Sequence, residues 1–243
     1  MKCIILAAGY ATRMYPLTEN FPKPLLTVGG KTIIDHLLAD IDGHGCIDEY
    51  IVISNHKFIN IFNEWAAALK YSAPVTVIDD GTTSNETRLG AVKDIQLAVD
   101  TLHAADDLLV FAGDNVLDFS LRRLLDYFHE KNASCVMRYY EPSVEKLKKT
   151  GVASIGPKNL IESMIEKPEN PASHWCIPPF YIYKRDDVPR IKQALEEGMP
   201  YDAPGSFIAW LSAHTAVYAM EMPGRRYDVG SIEGYEQIKQ GFK

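Results

Sequence analysis

Four short apolar runs, separated by segments of helical periodicity, constrain the fold of this chain more than any other feature. The runs occupy residues 4–6, 50–53, 75–78 and 108–111. They lack the alternation of polar and apolar residues that marks a half-exposed strand, so they predict strands covered on both faces, as in a parallel sheet. The segments between them place apolar residues three and four positions apart, which is the spacing of an amphipathic helix.

This alternation of strand and helix predicts an α/β fold. Parallel strands joined through helices need right-handed crossovers, which place helices on both faces of an open sheet. We therefore expect a three-layer, Rossmann-like arrangement: a mixed, mainly parallel sheet flanked by helices, with ligands at the carboxyl ends of the strands. A single domain over residues 1–243 is the economical interpretation, because the chain has no internal repeat and no long Gly/Ser linker.

The first predicted strand runs straight into a loop of small residues, Ala-Ala-Gly at positions 7–9, and two cations, Arg13 and Lys23, follow. Backbone N–H groups can approach an anion closely where side chains are small, and Arg and Lys neutralise its charge. The loop therefore predicts a cradle for a polyphosphate. A Walker A motif is excluded: Gly-Lys-Thr at 30–32 resembles its end, but the glycine that should open the motif would fall at Leu25. The dinucleotide-binding fingerprint is excluded too, because the opening loop has only Gly9 of its three glycines.

Composition limits the partners of the chain. Apolar residues make up 47% and charged residues 23% of the sequence, as in globular domains. The net charge of −7 argues against a general nucleic-acid or anionic-membrane surface, since both need a basic face. The four cysteines lie far apart without a CxxC pair, which indicates reduced thiols, and we find no signal peptide and no apolar stretch of 18 residues. We expect a cytoplasmic protein without nucleic-acid or membrane partners.

Short motifs follow one another in a specific order along the chain. They are Leu-Ala-Ala-Gly-x-x-Thr-Arg at 6–13 with Pro-Lys-Pro-Leu at 22–25, then Gly-Asp-Asn at 113–115, Glu-Lys-Pro at 166–168 and Asp-x-Gly at 228–230. Together they resemble the signatures of the sugar-1-phosphate nucleotidylyltransferases over nearly the whole chain. The resemblance implies that the chain joins a nucleoside triphosphate to a sugar 1-phosphate and releases pyrophosphate. It also implies a nucleotide-binding half over residues 1–130 and a sugar-phosphate-binding half over residues 131–243.

The resemblance gives the opening loop most of the phosphate chemistry. Arg13 and Lys23 are the expected catalytic residues: the planar Arg13 fork suits the β- and γ-phosphates, and Lys23 would lie near the α-phosphate and the incoming phosphate. An in-line attack needs little covalent catalysis, because the work is to hold two anions together and to stabilise charge on the leaving group. The expected nucleotide-binding residues are Ala7, Ala8, Gly9, Thr12, Arg13, Lys23, Asn85 and Gly90.

Two of these residues concern the nucleobase. Asn85 could hydrogen-bond the edge of the base, and Gly90 would let the base pack against backbone. An Asn amide can serve uracil, thymine or cytosine with either of its ends, so the residue type leaves the base open. Asn85 as an ordinary turn residue is an equally good interpretation.

The expected cofactor is Mg²⁺, held by Asp114 and Asp228. Magnesium favours one or two carboxylates together with phosphate oxygens and water. Asp114 follows a predicted central strand, and Asp228 precedes a glycine that permits a tight turn. The competing interpretation of an Asp in a Gly-Asp-Asn turn is that it hydrogen-bonds its own backbone.

The resemblance places the acceptor site at Gly151, Glu166 and Lys167. Lys167 would bind the phosphate of the sugar 1-phosphate, Glu166 would accept from sugar hydroxyls, and Gly151 would let backbone approach the sugar. Thr150 stands where relatives carry a Tyr before that glycine, and Pro178-Pro179 stands where many carry a glycine.

These departures leave the acceptor open. A cytidylyltransferase acting on a small non-sugar phosphate such as phosphocholine is one alternative, and a non-catalytic regulator that binds a nucleotide-sugar is another. A homo-oligomer is compatible with the sequence. Ala11, in place of a glycine common in the opening loop, asks for either a negative φ or mild strain there.

Overall fold

The computed structural model describes residues 1–103 and 105–241, and its elements alternate as the sequence predicts. The strands are β1 (Lys2–Leu6), β2 (Thr27–Val28), β3 (Lys31–Thr32), β4 (Glu49–Ser54), β5 (Val75–Asp79), β6 (Leu108–Ala112), β7 (Asn115–Leu117), β8 (Cys135–Tyr140), β9 (Gly151–Ile155), β10 (Ile161–Glu166), β11 (Trp175–Ile177), β12 (Phe180–Tyr183), β13 (Tyr218–Glu221) and β14 (Arg226–Asp228). The helices are α1 (Ile33–Asp42), α2 (Ile59–Ala68), α3 (Ala91–Leu102), α4 (Arg122–Lys131), α5 (Val144–Leu147), α6 (Arg190–Glu196), α7 (Gly205–Ser212) and α8 (Ile232–Gly241).

The described chain separates into two compact units. The first comprises residues 1–89, 112–122 and 223 onward, and the second comprises residues 90–111 and 123–222. The single domain with halves at 1–130 and 131–243 stays a prediction, since compactness does not test which substrate each half binds.

A parallel sheet organises the first unit. β1 pairs with β4 and β4 pairs with β5, both in parallel, and residues 3–5 of β1 and 50–53 of β4 are fully buried. Helix α2 packs on β4 and β5. Continuous burial of β-branched residues on both faces explains why these strands show no polar alternation in the sequence.

A short antiparallel pair, β7 with β14, also belongs to the first unit. Asp228 lies opposite Asn115 and Tyr227 opposite Val116. Val116 and Val229 are fully buried in one apolar cluster with residues of α1 and α8. Burying a valine contributes on the order of 1.5–3 kcal/mol, so this cluster anchors two strands of only three residues each.

The second unit contains the antiparallel part of the fold. Its strands follow the order β10-β9-β11-β8-β12-β6, and β13 pairs with β8 in parallel. Helix α7 packs against β9 and β10. The predicted α/β fold, a mixed sheet flanked by helices, is confirmed; the parallel pairs of β1, β4 and β5 lie in the first unit, and the antiparallel extension lies in the second.

Among the described residues, no helix combines the length and the apolar composition that a membrane crossing requires.

Candidate active site

The loop after β1 presents small residues around an open space. Ala7 and Ala8 are buried, whereas Gly9 is exposed. A Cβ atom built on Gly9 would meet no heavy atom within 4 Å, so a side chain there would project into that space. Beside the loop lies a cavity of about 100 Å³ whose lining includes Gly9, Lys23 and Asp114. The geometry is that of a backbone surface which a phosphate group can approach closely.

Two side chains that the sequence analysis did not single out hold this loop. The buried Asn55 donates from Nδ2 to the Ala8 carbonyl at 2.9 Å and accepts at Oδ1 from the Phe58 N–H at 3.1 Å. Thr18, also buried, donates to the Ala11 carbonyl at 2.8 Å. Buried, satisfied side-chain hydrogen bonds fix a backbone conformation without help from a ligand. The loop is therefore preorganised. The sequence carried no local signal for Asn55, which lies 47 residues from its acceptor, whereas Thr18 lies seven residues from Ala11.

Ala11 adopts the left-handed conformation, with φ 48° and ψ 39°. Of the two outcomes that the sequence allowed, mild strain is the one that occurs. A non-glycine residue in this region costs roughly 1–2 kcal/mol. The bond from Thr18 to the Ala11 carbonyl, together with the N–H of Met14 donating to the same oxygen at 2.9 Å, holds the strained residue in place.

Thr12 and Arg13 follow in a single turn of 3-10 helix, Thr12–Met14. Both are exposed, while Met14 is buried in the apolar cluster that anchors β7 and β14. The buried methionine fixes the turn, and the guanidinium of Arg13 remains available on a flexible stem. Its positive charge acts to lower the pKa of Asp228, one of the two carboxylates described next.

The central contact of the site joins residues 91 positions apart. Lys23 Nζ lies 2.5 Å from Asp114 Oδ2, and the two side chains are 16% and 28% exposed. Lys23 opens a short 3-10 turn that two prolines, Pro22 and Pro24, rigidify. Gly113 precedes Asp114, and a Cβ there would press on Ile5 and Pro24 at 3.2–3.3 Å, so the glycine lets the two segments pack closely.

The β7–β14 pair brings Asp228 beside Asp114. The Val229 N–H donates to the Asp114 carbonyl at 3.0 Å, and Asp228 lies opposite Asn115 in the register. The Asp228 side chain is 53% exposed, and its Oδ2 lies 3.9 Å from an Arg226 nitrogen. Asp228, the last residue of β14, and Asp114, in the turn that precedes β7, thus come together although they lie more than a hundred positions apart in the chain.

The electrostatics of the two carboxylates differ in direction. Burial by itself would raise the pKa of Asp114, but the attraction and hydrogen bond of Lys23, aided by Arg226, hold this pKa below its ordinary value. For Asp228, desolvation and repulsion from the Asp114 carboxylate together raise its pKa, against the opposing pull of Arg226, Lys23 and Arg13. A cation bound between two carboxylates that repel each other would relieve this repulsion, so the pair favours cation binding.

These residues fit a divalent cation of the magnesium type. No cluster of three or more His, Cys, Asp or Glu side chains suited to a metal occurs in the part of the chain that the structure describes. Magnesium does not require one, because it takes one or two carboxylates and completes its shell with phosphate oxygens and water. Asp114 and Asp228 would be the protein ligands.

The second unit holds a separate group of the predicted residues around Glu166. Glu166 ends β10 and lies opposite Gly151 of β9. A Cβ on Gly151 or on Gly205 would overlap with the Glu166 side chain, so two glycines make the room that this carboxylate occupies. Burial raises the pKa of Glu166, and the neighbouring Lys167 opposes the shift.

A cavity of about 620 Å³ in the second unit adjoins Glu166 and Lys167. Its lining also includes Ser206 and Trp210 of α7 and Met199. Lys167 is exposed, has φ 49°, and donates its N–H to the Thr150 carbonyl at 3.1 Å. This volume lies within the range of small-molecule sites, which are mostly apolar with a few polar groups that fix orientation.

The two residues proposed for the base have clear structural roles. Asn85 opens a 3-10 turn, Asn85–Thr87, that the neighbouring Ser84 and Thr87 side chains close reciprocally. Gly90 has φ 99°, and a Cβ there would press on Tyr201 at 2.8 Å. Positive φ and close packing therefore require a glycine at position 90 whatever its part in binding, and contact of either residue with a base stays a prediction.

The structure thus places the predicted residues in two groups. The first unit holds Ala7, Ala8, Gly9, Thr12, Arg13, Lys23, Asn85, Asp114 and Asp228, and the second holds Gly90, Gly151, Glu166 and Lys167. Asn55, Thr18, Asn115 and Arg226 complete the first group.

Comparison with known proteins identifies the family. The chain belongs to the nucleotidyl transferase family, whose model matches residues 2–243. It is similar to the glucose-1-phosphate adenylyltransferase of Bacillus subtilis, with 29% identity over 207 residues that make up 80% of this chain and 53% of the relative. The chain therefore spans about half the length of that relative.

It is also similar to the UTP–glucose-1-phosphate uridylyltransferase AglF of Haloferax volcanii, at 24% identity over 99% of this chain and 96% of the relative. Among solved structures, UDP-glucose pyrophosphorylase complexed with UDP-glucose superimposes with a TM-score of 0.82 at 19% identity, covering 99% of this chain and 97% of that one. The structural match shows a shared fold.

Proposed function

We propose that this chain is a Mg²⁺-dependent nucleotidylyltransferase that joins a nucleoside triphosphate to a sugar 1-phosphate. The single observation that carries the proposal is the cluster of Lys23, Asp114 and Asp228 beside the open, preorganised loop at Gly9. Family membership supports the reaction class, and the names of the relatives support a sugar 1-phosphate as acceptor.

In this reaction an oxygen of the acceptor phosphate forms a bond to the α-phosphorus while the bond to the bridging oxygen of the β-phosphate breaks, and pyrophosphate leaves. Both reactants are anions, so the protein must offset their repulsion. Lys23 holds the α-phosphate and the attacking phosphate, Arg13 holds the leaving phosphates, and the amides of residues 7–9 orient the chain of phosphates. A bound Mg²⁺ would neutralise negative charge on the triphosphate, with Asp114 and Asp228 as its protein ligands.

For the acceptor, we propose the cavity beside Glu166 and Lys167. Lys167 supplies the charge for the phosphate, and Glu166 accepts from hydroxyl groups of the sugar. The raised pKa of Glu166 follows from its partial burial, and hydroxyl donors at this carboxylate would compensate the water that it has lost. Asn85 and Gly90 remain our proposal for the nucleobase.

We place the reaction in the cytoplasm, because four widely spaced cysteines are typical of a reducing compartment.

A matrix of substrates tests the proposal. Purified protein with Mg²⁺ is incubated with each of the five common nucleoside triphosphates against a panel of hexose 1-phosphates, hexosamine 1-phosphates and phosphocholine, and pyrophosphate release is followed. We expect turnover with at least one triphosphate and one sugar 1-phosphate. Turnover with phosphocholine alone would show that the acceptor is a small non-sugar phosphate and not a sugar 1-phosphate. Nucleotide-sugar binding without any turnover would favour the alternative of a non-catalytic regulator.

A further inference from the structure

The two oxygens of the Asp114 carboxylate have different partners. Oδ1 accepts from Asn115 Nδ2 at 2.7 Å, and the same Nδ2 donates to the Ala112 carbonyl at 3.1 Å. Asn115 is fully buried, and its Oδ1 accepts from Arg226 at 2.7 Å. Oδ1 of Asp114 is therefore fixed by a buried amide that a guanidinium holds in turn.

Asp114 Oδ2 is engaged differently, because its partner is the terminal ammonium of a flexible side chain. Lys23 Nζ lies 2.5 Å from this oxygen and is 16% exposed. A divalent cation of the magnesium type needs direct contact with its carboxylate oxygen, at about 2.0–2.1 Å. An ammonium and a divalent cation on one oxygen would lie within a few ångströms of each other and would repel strongly.

We propose that Lys23 and the divalent cation exchange at Asp114 Oδ2: the lysine neutralises the carboxylate until a triphosphate offers it another anion, and the cation then takes its place. The inference rests on the proposed function for the identity of that anion. The Arg226–Asn115 clamp on Oδ1 keeps the carboxylate in position while its other oxygen changes partner.

This exchange couples two binding events. A cation alone must displace Lys23, whereas a cation that arrives with a triphosphate finds Lys23 drawn to phosphate. By thermodynamic linkage, the triphosphate tightens cation binding and the cation tightens triphosphate binding by the same factor. Lys23 thus has a second role besides phosphate binding, since it keeps the cation site from filling on its own.

Binding of Mn²⁺ alone to the protein, followed by electron paramagnetic resonance of the free ion, tests the exchange without nucleotide or acceptor. Lys23→Met removes the competing charge, so we expect its affinity for Mn²⁺ to be at least tenfold higher than that of the wild type. Lys23→Arg keeps the charge and should stay within threefold of the wild type. Lys31→Met removes one positive charge at an exposed position of β3, and its affinity for Mn²⁺ should also stay within threefold of the wild type.

The double variant Lys23→Met with Asp114→Asn should lose the gain, which places it at this carboxylate. Lys23→Gln serves as a second neutral variant, and circular dichroism confirms the fold of each. Equal or weaker Mn²⁺ binding by both neutral variants, or no measurable binding by any variant, would overturn the exchange. A wild type that turns over in the substrate matrix while the neutral variants show no gain would leave the proposed function standing without it. A gain in Mn²⁺ affinity without any turnover in the substrate matrix would support the exchange and contradict the proposed function.

Discussion

At the scale of single residues, the proposed chemistry depends on a few partly buried charged side chains. Lys23 and Asp114 neutralise each other, whereas Asp228 and Glu166 both have raised pKa values because their surroundings do not fully compensate them. Titratable groups in such a condition are enriched at functional sites.

The pair at 2.5 Å gives the first prediction. Lys23→Ala and Asp114→Asn should each lower the rate of pyrophosphate release by a factor on the order of 10²–10³ or more, because preorganised electrostatic contacts have effects of this size. Thermal unfolding should show that both variants remain folded. Lys31→Ala and Asp106→Asn, the same changes at exposed positions, should leave the rate unchanged. A near-normal rate in either site variant would contradict the assigned roles.

Glu166 gives the second prediction, which concerns pH. Its pKa is raised in the folded state, so the folded protein holds this proton more tightly than the unfolded chain does. The free energy of unfolding therefore decreases as pH rises from the ordinary Glu value through the raised one, and the loss is complete above it. Glu166→Gln should be more stable than the wild type at pH 7, and the difference should vanish below about pH 3, where Glu166 is protonated in both the folded and the unfolded wild type.

Urea unfolding of both proteins at several pH values measures this difference. In the same variant the KM for the acceptor should rise, since an amide cannot accept from hydroxyl groups as strongly as a carboxylate. A Glu166→Gln variant that is less stable at pH 7 than the wild type would show that the carboxylate has a structural partner.

At the scale of elements, short pieces of backbone decide the site. The strands β7 and β14 are three residues long, and the loop at residues 7–11 has no regular structure of its own. Each is held by buried neighbours: Val116 and Val229 anchor the strand pair, and Asn55 and Thr18 anchor the loop.

The third prediction concerns Asn55, which anchors the loop at residues 7–11. Asn55→Asp keeps the acceptor for the Phe58 N–H but loses the donor to the Ala8 carbonyl, whereas Asn55→Ala loses both. A buried hydrogen bond contributes about 0.5–1.5 kcal/mol net, and an unsatisfied partner costs more. We expect both variants to weaken triphosphate binding, measured as KM, and to lower the free energy of unfolding, Asn55→Ala through the lost hydrogen bonds and Asn55→Asp through a buried charge that faces the Ala8 carbonyl. A KM like that of the wild type in both would show that the loop does not need this anchor.

At the scale of the whole molecule, ligand binding should appear as stability. A ligand that binds only the folded state adds about 2.7 kcal/mol at a concentration of a hundred times its Kd. For a chain of this size that corresponds to a rise in Tm of roughly 5–10 °C.

The fourth prediction follows from this linkage. Mg²⁺ together with the preferred triphosphate should raise the Tm by several degrees. Mg²⁺ alone at the same concentration should raise the Tm by no more than about 1–2 °C, because a weakly bound ion adds little to the free energy of unfolding. Asp228→Asn should reduce the combined effect, and Asp106→Asn should not. A rise that persists in full in Asp228→Asn would remove that residue from the cation site.

The sequence by itself determined the class of fold and suggested which residues form the site. The four apolar runs became β1, β4, β5 and β6 because continuous burial requires continuous apolar residues, and that pattern is local. The small-residue loop, Arg13 and Lys23 could be proposed because phosphate chemistry restricts residue types, and the two aspartates because their motifs resemble those of a known family.

Only the tertiary structure decided which of these groups meet. The pair β7 and β14 was not predicted, because three residues are too few to show a period of two, and Arg226 and Asn55 carry no local signal for their partners. Contacts such as Lys23 with Asp114 depend on segments 91 residues apart, and a sequence pattern records local preference, whereas long-range pairing is fixed by which apolar faces can be buried together.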